Sequence, residues 1–166
     1  MEFAFAMVIF LLCIGIFYNA YPNIKEQSQD PLKEVYFDCK VASEILLSSG
    51  LPKNWTTQNV IRPGITNGEH ILLEDKVLKF RSLSENNYTK LKSFMGLESE
   101  FAFYLLDYDN DIVAIGGNKI FGNLDVNLTA NNKIDFTQVK ADDIAKIERS
   151  LIYKKRPVRL LIVTWN

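Results

Sequence analysis

The chain begins with a run that has no polar face at all. Residues 3 to 21, FAFAMVIFLLCIGIFYNAY, carry no charge, and only Gly15 and Asn19 interrupt the aliphatic and aromatic sequence. At about 1.5 Å per residue such a run makes roughly 28 Å of helix, close to the hydrocarbon thickness of a bilayer. The pattern predicts a membrane helix within residues 1–22. A cleaved signal peptide would need a basic start and a small-x-small cleavage site; Glu2 is the only ionisable side chain ahead of the run, and Asn19-Ala20-Tyr21 matches poorly. A buried core helix is the other alternative, but few domains of this size hide a helix that is apolar all round.

From Asp30 the pattern acquires a period. Leu32, Val35, Cys39, Ala42, Ile45 and Leu46 recur at intervals of three and four, which places one apolar stripe on a helix of about twenty residues. Asp30-Pro31 reads as its cap and first turn, and Gly50 with Pro52 as its stop. Residues 74–82 and 86–95 predict two further helices, the second capped by Ser84 and closed by Gly96. EFAFYLLDYDNDIVAIGG reads as strand, turn and strand, and so does IAKIERSLIYKKRPVRLLIVTW, with its turn at Lys154 to Pro157. Residues 117–135 predict one irregular strand and loops. The expected fold class is α+β: a long N-terminal hydrophobic helix that continues as an amphipathic spine, packed on a small, mostly antiparallel β-sheet.

Charge and cysteine content narrow the function classes. After residue 22 the remaining 144 of the 166 residues suffice for one domain, 23–166, in which nineteen Lys and Arg balance nineteen acids. Nothing in that balance forms a nucleic-acid surface. Cys13 lies in the apolar run and Cys39 is the only thiol of the domain, so the domain has no internal disulfide. Three Asn-x-Thr sequons, at Asn54, Asn87 and Asn127, are candidate N-glycosylation acceptors and argue modestly for an extracellular setting.

Several segments, taken in order, carry a likeness to a known group. They are the opening MEFAFAMVIFLLCIGI, the helix that leads into GLPKNWT and then Gly64-Ile65-Thr66, the Tyr-x-x-Leu of ENNYTKLKSFMG, and the closing ERSLIYKKRPVRLLIVTW with its late tryptophan. Together they resemble archaeal pilin-like proteins of the class III signal peptide type, relatives of type IV pilins. The resemblance implies an envelope protein anchored by its first helix, with its domain outside the cell, able to associate with itself or with other pilin-like subunits. Glu2, Phe3, Phe5, Ala6, Phe10 and Gly15 would then be assembly residues, the small ones, with Ala4, permitting close helix approach. In type IV pilins an acid near the mature terminus helps register one subunit on the next; Glu2 resembles it in position, while a solvated Glu2 at headgroup level is the plainer reading. Such precursors carry a basic leader, and this sequence starts at Met1, so either an upstream start or an unprocessed anchor is expected.

Candidate chemistry is sparse. Asp107, Asp109 and Asp111 have the alternate spacing of a calcium loop, but Ile112 and Asn118 stand where its glycine and bidentate glutamate belong, so a solvated turn is expected. His70 is the only histidine and has no cysteine or second histidine near it for a zinc site or triad. AIGGNKIFGN lacks phosphate-loop spacing, and Lys154, Lys155 and Arg156 read as a solvated turn. No cofactor and no catalytic constellation emerges. Trp55 has two readings: an exposed anchor for a partner or sugar, or a side chain folded back over the stripe of Cys39, Ala42 and Leu46, so that Gly50, Pro52 and Trp55 form a structural clamp. The second is favoured because the stripe otherwise lacks a lid, and it would hinder glycosylation of Asn54. Three functions remain. One is a structural subunit of a filament. The second is a membrane-tethered binding module that stays monomeric. The third is a membrane-anchored enzyme, which would need a deep polar pocket.

Overall fold

The structure, a computed structural model, describes Met7 and residues 10–15, 31–137 and 139–166. Residues 10–15 are helical (α1). They are followed by α2 (Pro31–Leu47), α3 (Glu74–Met95), β1 (Glu100–Leu106), β2 (Phe121–Gly122), β3 (Asn127–Leu128), β4 (Ile134–Asp135), β5 (Ile144–Tyr153) and β6 (Arg156–Trp165). The fold is α+β, as expected, but the expected long apolar N-terminal helix running on into a spine is not what the described residues form. Only residues 10–15 of α1 are described, no described helix is long and apolar enough to cross a membrane, and α2 is described from Pro31. A proline lacks the N–H that an interior turn needs, so Pro31 belongs in a first turn and marks a start. Most of the apolar run lies outside the described residues.

One antiparallel sheet, in the order β2-β1-β6-β5, organises the domain. β1 and β6 sit in its middle and are buried on both faces, which explains why FAFYLL and LLIVTW read as continuous apolar runs rather than alternations. Phe101, Phe103, Leu160 and Ile162 face the helices, while Tyr104, Leu161, Val163 and Trp165 face away from them. β5 is an edge strand and alternates: Ala145, Ile147, Leu151 and Tyr153 are buried, whereas Lys146 and Glu148 are exposed. The second strand expected after the Asp-Asn-Asp turn does not form. Ile112 makes only an isolated bridge to Leu106, and the partner of β1 on that edge is β2. Gly122 permits this pairing, since at φ 99° a Cβ there would lie 2.6 Å from the Phe101 carbonyl oxygen.

α2 lays its stripe on β5 and β6. Val35, Cys39, Ala42, Ile45 and Leu46 are buried as the period predicts, but Leu32 is exposed. Hydrogen bonds fix the helix on the sheet: the Thr164 hydroxyl donates to the Val35 carbonyl at 2.8 Å, and the Asp38 carboxylate accepts from the N–H groups of Glu98 and Ser99 at 3.0 and 2.8 Å. The two helices expected at 74–82 and 86–95 are one element broken at Asn87, whose φ of −163° is not helical. The cap of its second half is Asn87, whose side-chain oxygen accepts from Lys90 N–H at 2.9 Å, and not Ser84, which is buried and bonds back to Phe80. Gly96 closes it in the left-handed conformation, as expected.

The other sheet face is covered by the β3–β4 pair and its flanks. Val126, Ile134, Phe136 and Val139 pack there, with Phe136 edge-on to Trp165 at 5.4 Å. The sequence predicts one irregular strand and loops over residues 117–135; the structure forms three short strands there, and the β3–β4 pair makes a third layer.

Candidate functional site

Three places in the domain concentrate the candidate residues. The first is the loop after α2. Trp55 is fully buried, and its indole N–H donates to the Gly64 carbonyl at 3.0 Å. Gly50 and Gly64 create the slot. A Cβ on Gly50 would lie 2.4 Å from the indole, and one on Gly64 would lie 2.3 Å from the Ser48 carbonyl oxygen. The loop then returns to satisfy the carbonyls that end α2: Ile65 N–H donates to Leu46, Thr66 N–H donates to Ser48, and the Thr66 hydroxyl donates to Leu47.

The last turn of α2 has no basic residue of its own, so the cation comes from α3. Lys76 is buried, and its ammonium donates to the carbonyls of Ser49 at 2.6 Å and Thr66 at 3.2 Å, where the negative end of the α2 dipole favours it. Burial nevertheless pushes its pKa down. The clamp of Gly50, Pro52 and Trp55 is therefore structural, and Trp55 is not a surface anchor. The Leu51–Pro52 bond in it is cis. Asn54 is exposed beside the buried indole, and so are Asn87 and Asn127, although the Asn87 side chain is engaged as a cap.

The second place is the N-terminal half of α2. Leu32, Tyr36 and Phe37 are 49%, 57% and 64% exposed, with Leu32 and Tyr36 one turn apart and Phe37 beside them. The same face farther along the helix carries Lys40 and Glu44. Of the expected assembly residues, Phe10 and Gly15 are described and exposed, and Leu11 and Leu12 beside Phe10 are exposed too. Glu2, Phe3, Phe5 and Ala6 lie outside the described residues.

The third place is a cleft of about 550 Å³ between the Asp107–Asn110 turn and the β5–β6 hairpin, with Val113, Pro157 and Val158 in its lining. Both walls are tied down. Asp107 Oδ1 accepts from the N–H groups of Asp109 at 3.0 Å and Asp111 at 2.8 Å, Arg159 donates to the Asn110 side chain and, at 3.3 Å, to Glu148, and Asn132 donates to the Asn110 carbonyl at 2.7 Å. On the opposite wall the Tyr153 hydroxyl donates to Glu74 at 2.8 Å, and Lys154 pairs with the same carboxylate at 3.1 Å while lying over the Tyr153 ring. The tyrosine hydroxyl and then the ammonium hold the Glu74 carboxyl below its usual range.

The hairpin turn is Lys154-Lys155 alone, not Lys154 to Pro157, because Arg156 and Pro157 already belong to β6. Both lysines have positive φ, 49° and 64°, the geometry that two-residue hairpins normally give to Asn-Gly. An L-residue there costs about 1–2 kcal/mol. Tyr108 is 87% exposed, and Lys155 and Arg156 form no ion pair among the described residues.

The acidic triplet is not gathered for metal. One oxygen of Asp107 is already committed to backbone amides, and among the described residues no group of three acids, histidines or cysteines could hold an ion. His70 is exposed at φ 61°, and its backbone carbonyl accepts from Ile152 N–H at 2.9 Å. Sequence reasoning passed over Lys76, Tyr108 and the Glu74–Tyr153 pair. Lys76 had a legible signal, since a lysine next to Val77 and one turn before Phe80 falls on the apolar face of α3. No protein-family profile, curated protein or solved structure matches the chain.

Proposed function

We propose that the chain is a pilin-like structural protein of an archaeal cell surface, held at the membrane through its apolar N-terminal residues, with the α+β domain outside the cell. Its lateral partners are further copies or other pilin-like subunits. The observation that carries this reading is the uneven surface of α2. The helix buries Val35, Cys39, Ala42, Ile45 and Leu46, yet exposes Leu32, Tyr36 and Phe37 in its N-terminal half, and Phe10, Leu11 and Leu12 of α1 are exposed as well. Contiguous exposed apolar side chains cost solubility unless another surface covers them.

Shearing cells that express the chain, pelleting the released material and finding the chain in filaments by mass spectrometry and electron microscopy would support the proposal. Tyr36→Glu and Phe37→Glu should then abolish incorporation with little change in the melting curve, because both side chains stand outside the core. Retention of the wild-type chain in the membrane fraction as a monomer would reject assembly. It would leave the second reading, a membrane-tethered binding module, which the cleft between the two turns favours.

A further inference from the structure

We propose that two copies of this domain pair through the open edge of β5, antiparallel around a two-fold axis at Ile147, so that their sheets join into one. The hydrogen bonds of Ile152 show which backbone groups of β5 are free. Its N–H donates to the His70 carbonyl at 2.9 Å and its carbonyl accepts from Leu72 N–H at 2.9 Å, so both groups point away from β6. This direction alternates along an antiparallel strand, and the register with β6 is unbroken from Ile144 to Tyr153. Ile144, Lys146, Glu148 and Ser150 therefore point their N–H and C=O groups outward as well. Residues 70–72 close only the Ile152 end. Among the described residues nothing bonds to the edge from Ile144 to Ser150, and the four outward residues are exposed. A row of unpaired groups of this length is a template for another strand.

Charge selects a second copy as the partner and sets the register. Antiparallel self-pairing brings outward residues opposite one another, and an axis at Lys146 or at Glu148 would set two lysines or two glutamates face to face. An axis at Ile147 instead sets Lys146 opposite Glu148 of the partner subunit, twice by symmetry, and Ile144 opposite Ser150, which uses the open edge from end to end. Both charges are available. Lys146 has no acid partner among the described residues, and Glu148 accepts from Arg159 through Oε1 at 3.3 Å with its other oxygen unengaged there. The flank of α2 adds apolar surface beside the same edge. On one side of the helix Asp38 meets Glu98 and Ser99, ahead of β1, whereas on the other Ser43 accepts from Arg149 of β5 at 3.3 Å. Tyr36 lies two turns before Ser43 on the same line of the helix, and Leu32 one turn before Tyr36, so these exposed side chains look out past β5. A second sheet joined at β5 gives them a surface to rest on.

A two-fold contact closes on itself and does not propagate, so the pair goes beyond the filament reading and stands or falls apart from it. It is tested on the full chain in detergent, with Cys13→Ser removing the exposed native thiol and Cys39 left buried. Lys146→Cys and Glu148→Cys variants, mixed and oxidised, should give a disulfide-linked pair at several-fold the yield of either variant alone, because only the mixture sets two thiols directly opposite each other. In sedimentation, Lys146→Glu should raise the Kd of the pair about tenfold, and adding Glu148→Lys should return it close to the wild-type value. Lys146 is exposed, so the melting curve of Lys146→Glu should match the wild type at concentrations where both are monomeric. A chain that stays monomeric at about 100 μM would overturn the proposal. Pairing without the mixed disulfide would show that the copies meet elsewhere, and pairing that Lys146→Glu leaves unchanged would show that these charges do not set the contact; either result overturns it.

Discussion

Two loops of this domain carry a single large aromatic each and treat it in opposite ways. In the loop after α2, Trp55 disappears between Gly50 and Gly64 and donates to a backbone carbonyl. In the turn after β1, Tyr108 stands 87% exposed although its neighbours Asp107 and Asn110 are hydrogen-bonded on every side. Both loops are held, so the difference is not one of order. It lies in the small residues: two glycines remove the side chains that would block the indole, whereas Tyr108 is flanked by Asp107 and Asp109 and has no such slot. An aromatic in a held loop is informative only together with the residues that could receive it.

The comparison can be broken first at Trp55. Trp55→Ala should lower stability by about 3–5 kcal/mol in urea denaturation, the range for a large buried aromatic, and an unchanged midpoint would show that the loop is not a clamp. Lys76→Met should cost about 1.5–3 kcal/mol near neutral pH, because the Ser49 and Thr66 carbonyls lose a charged donor. The pH dependence of that gap has a definite sign. The folded pKa of Lys76 is depressed, so the unfolded chain binds its proton more tightly and wild-type stability rises with pH from the folded value to about 10.4. The gap to the methionine variant should therefore widen on that interval, and a constant gap would contradict the burial of the ammonium.

Gly64→Ala follows, at about 1–3 kcal/mol, since the new methyl must displace the Ser48 carbonyl. On the wall of the cleft, the depressed Glu74 carboxyl contributes fully above its unfolded pKa of about 4.3 and loses that contribution as pH falls through the folded value. Acid titration of wild type against Glu74→Gln should show the two converging there. Smallest of all is Tyr108→Ala, expected within about 0.5 kcal/mol of wild type. A larger loss would mean that the exposed ring supports the turn and would erase the contrast with Trp55.

Much of the scaffold was legible because burial writes itself into periodicity. α2 was readable from its three-four stripe, β5 and β6 from their apolar content, and Gly96 from its place after the last periodic residue. Pro31 was legible as the first turn of α2; what fails is the expectation that the apolar N-terminal helix runs on into it as one spine. The break within α3 was legible as a gap between two predicted helices, but its position was not, because asparagine competes with the helix through its own side chain and puts the kink and cap at Asn87 rather than Ser84. The strand after the Asp-Asn-Asp turn was lost to β2, whose glycine allows close pairing that no hydrophobic pattern records. The Trp55 clamp was half visible, but the capping carbonyls and the Lys76 contact join residues 10 to 27 positions apart and leave no local trace. The cleft was the least legible, because it is made by two turns brought together only after β1 and β5 have both paired with β6.

That shared partner bears on how the domain is made. β6 is the last described strand to be synthesised, yet β1 and β5 are joined to each other only through it. While residues 156–165 remain inside the ribosome, the chain can form its helices and the β1–β2 pair but lacks the strand that joins β1 to β5. The sheet must therefore close in one late step. Any truncation or stall before Arg156 should yield not a smaller version of the domain but exposed apolar strands for quality control to remove.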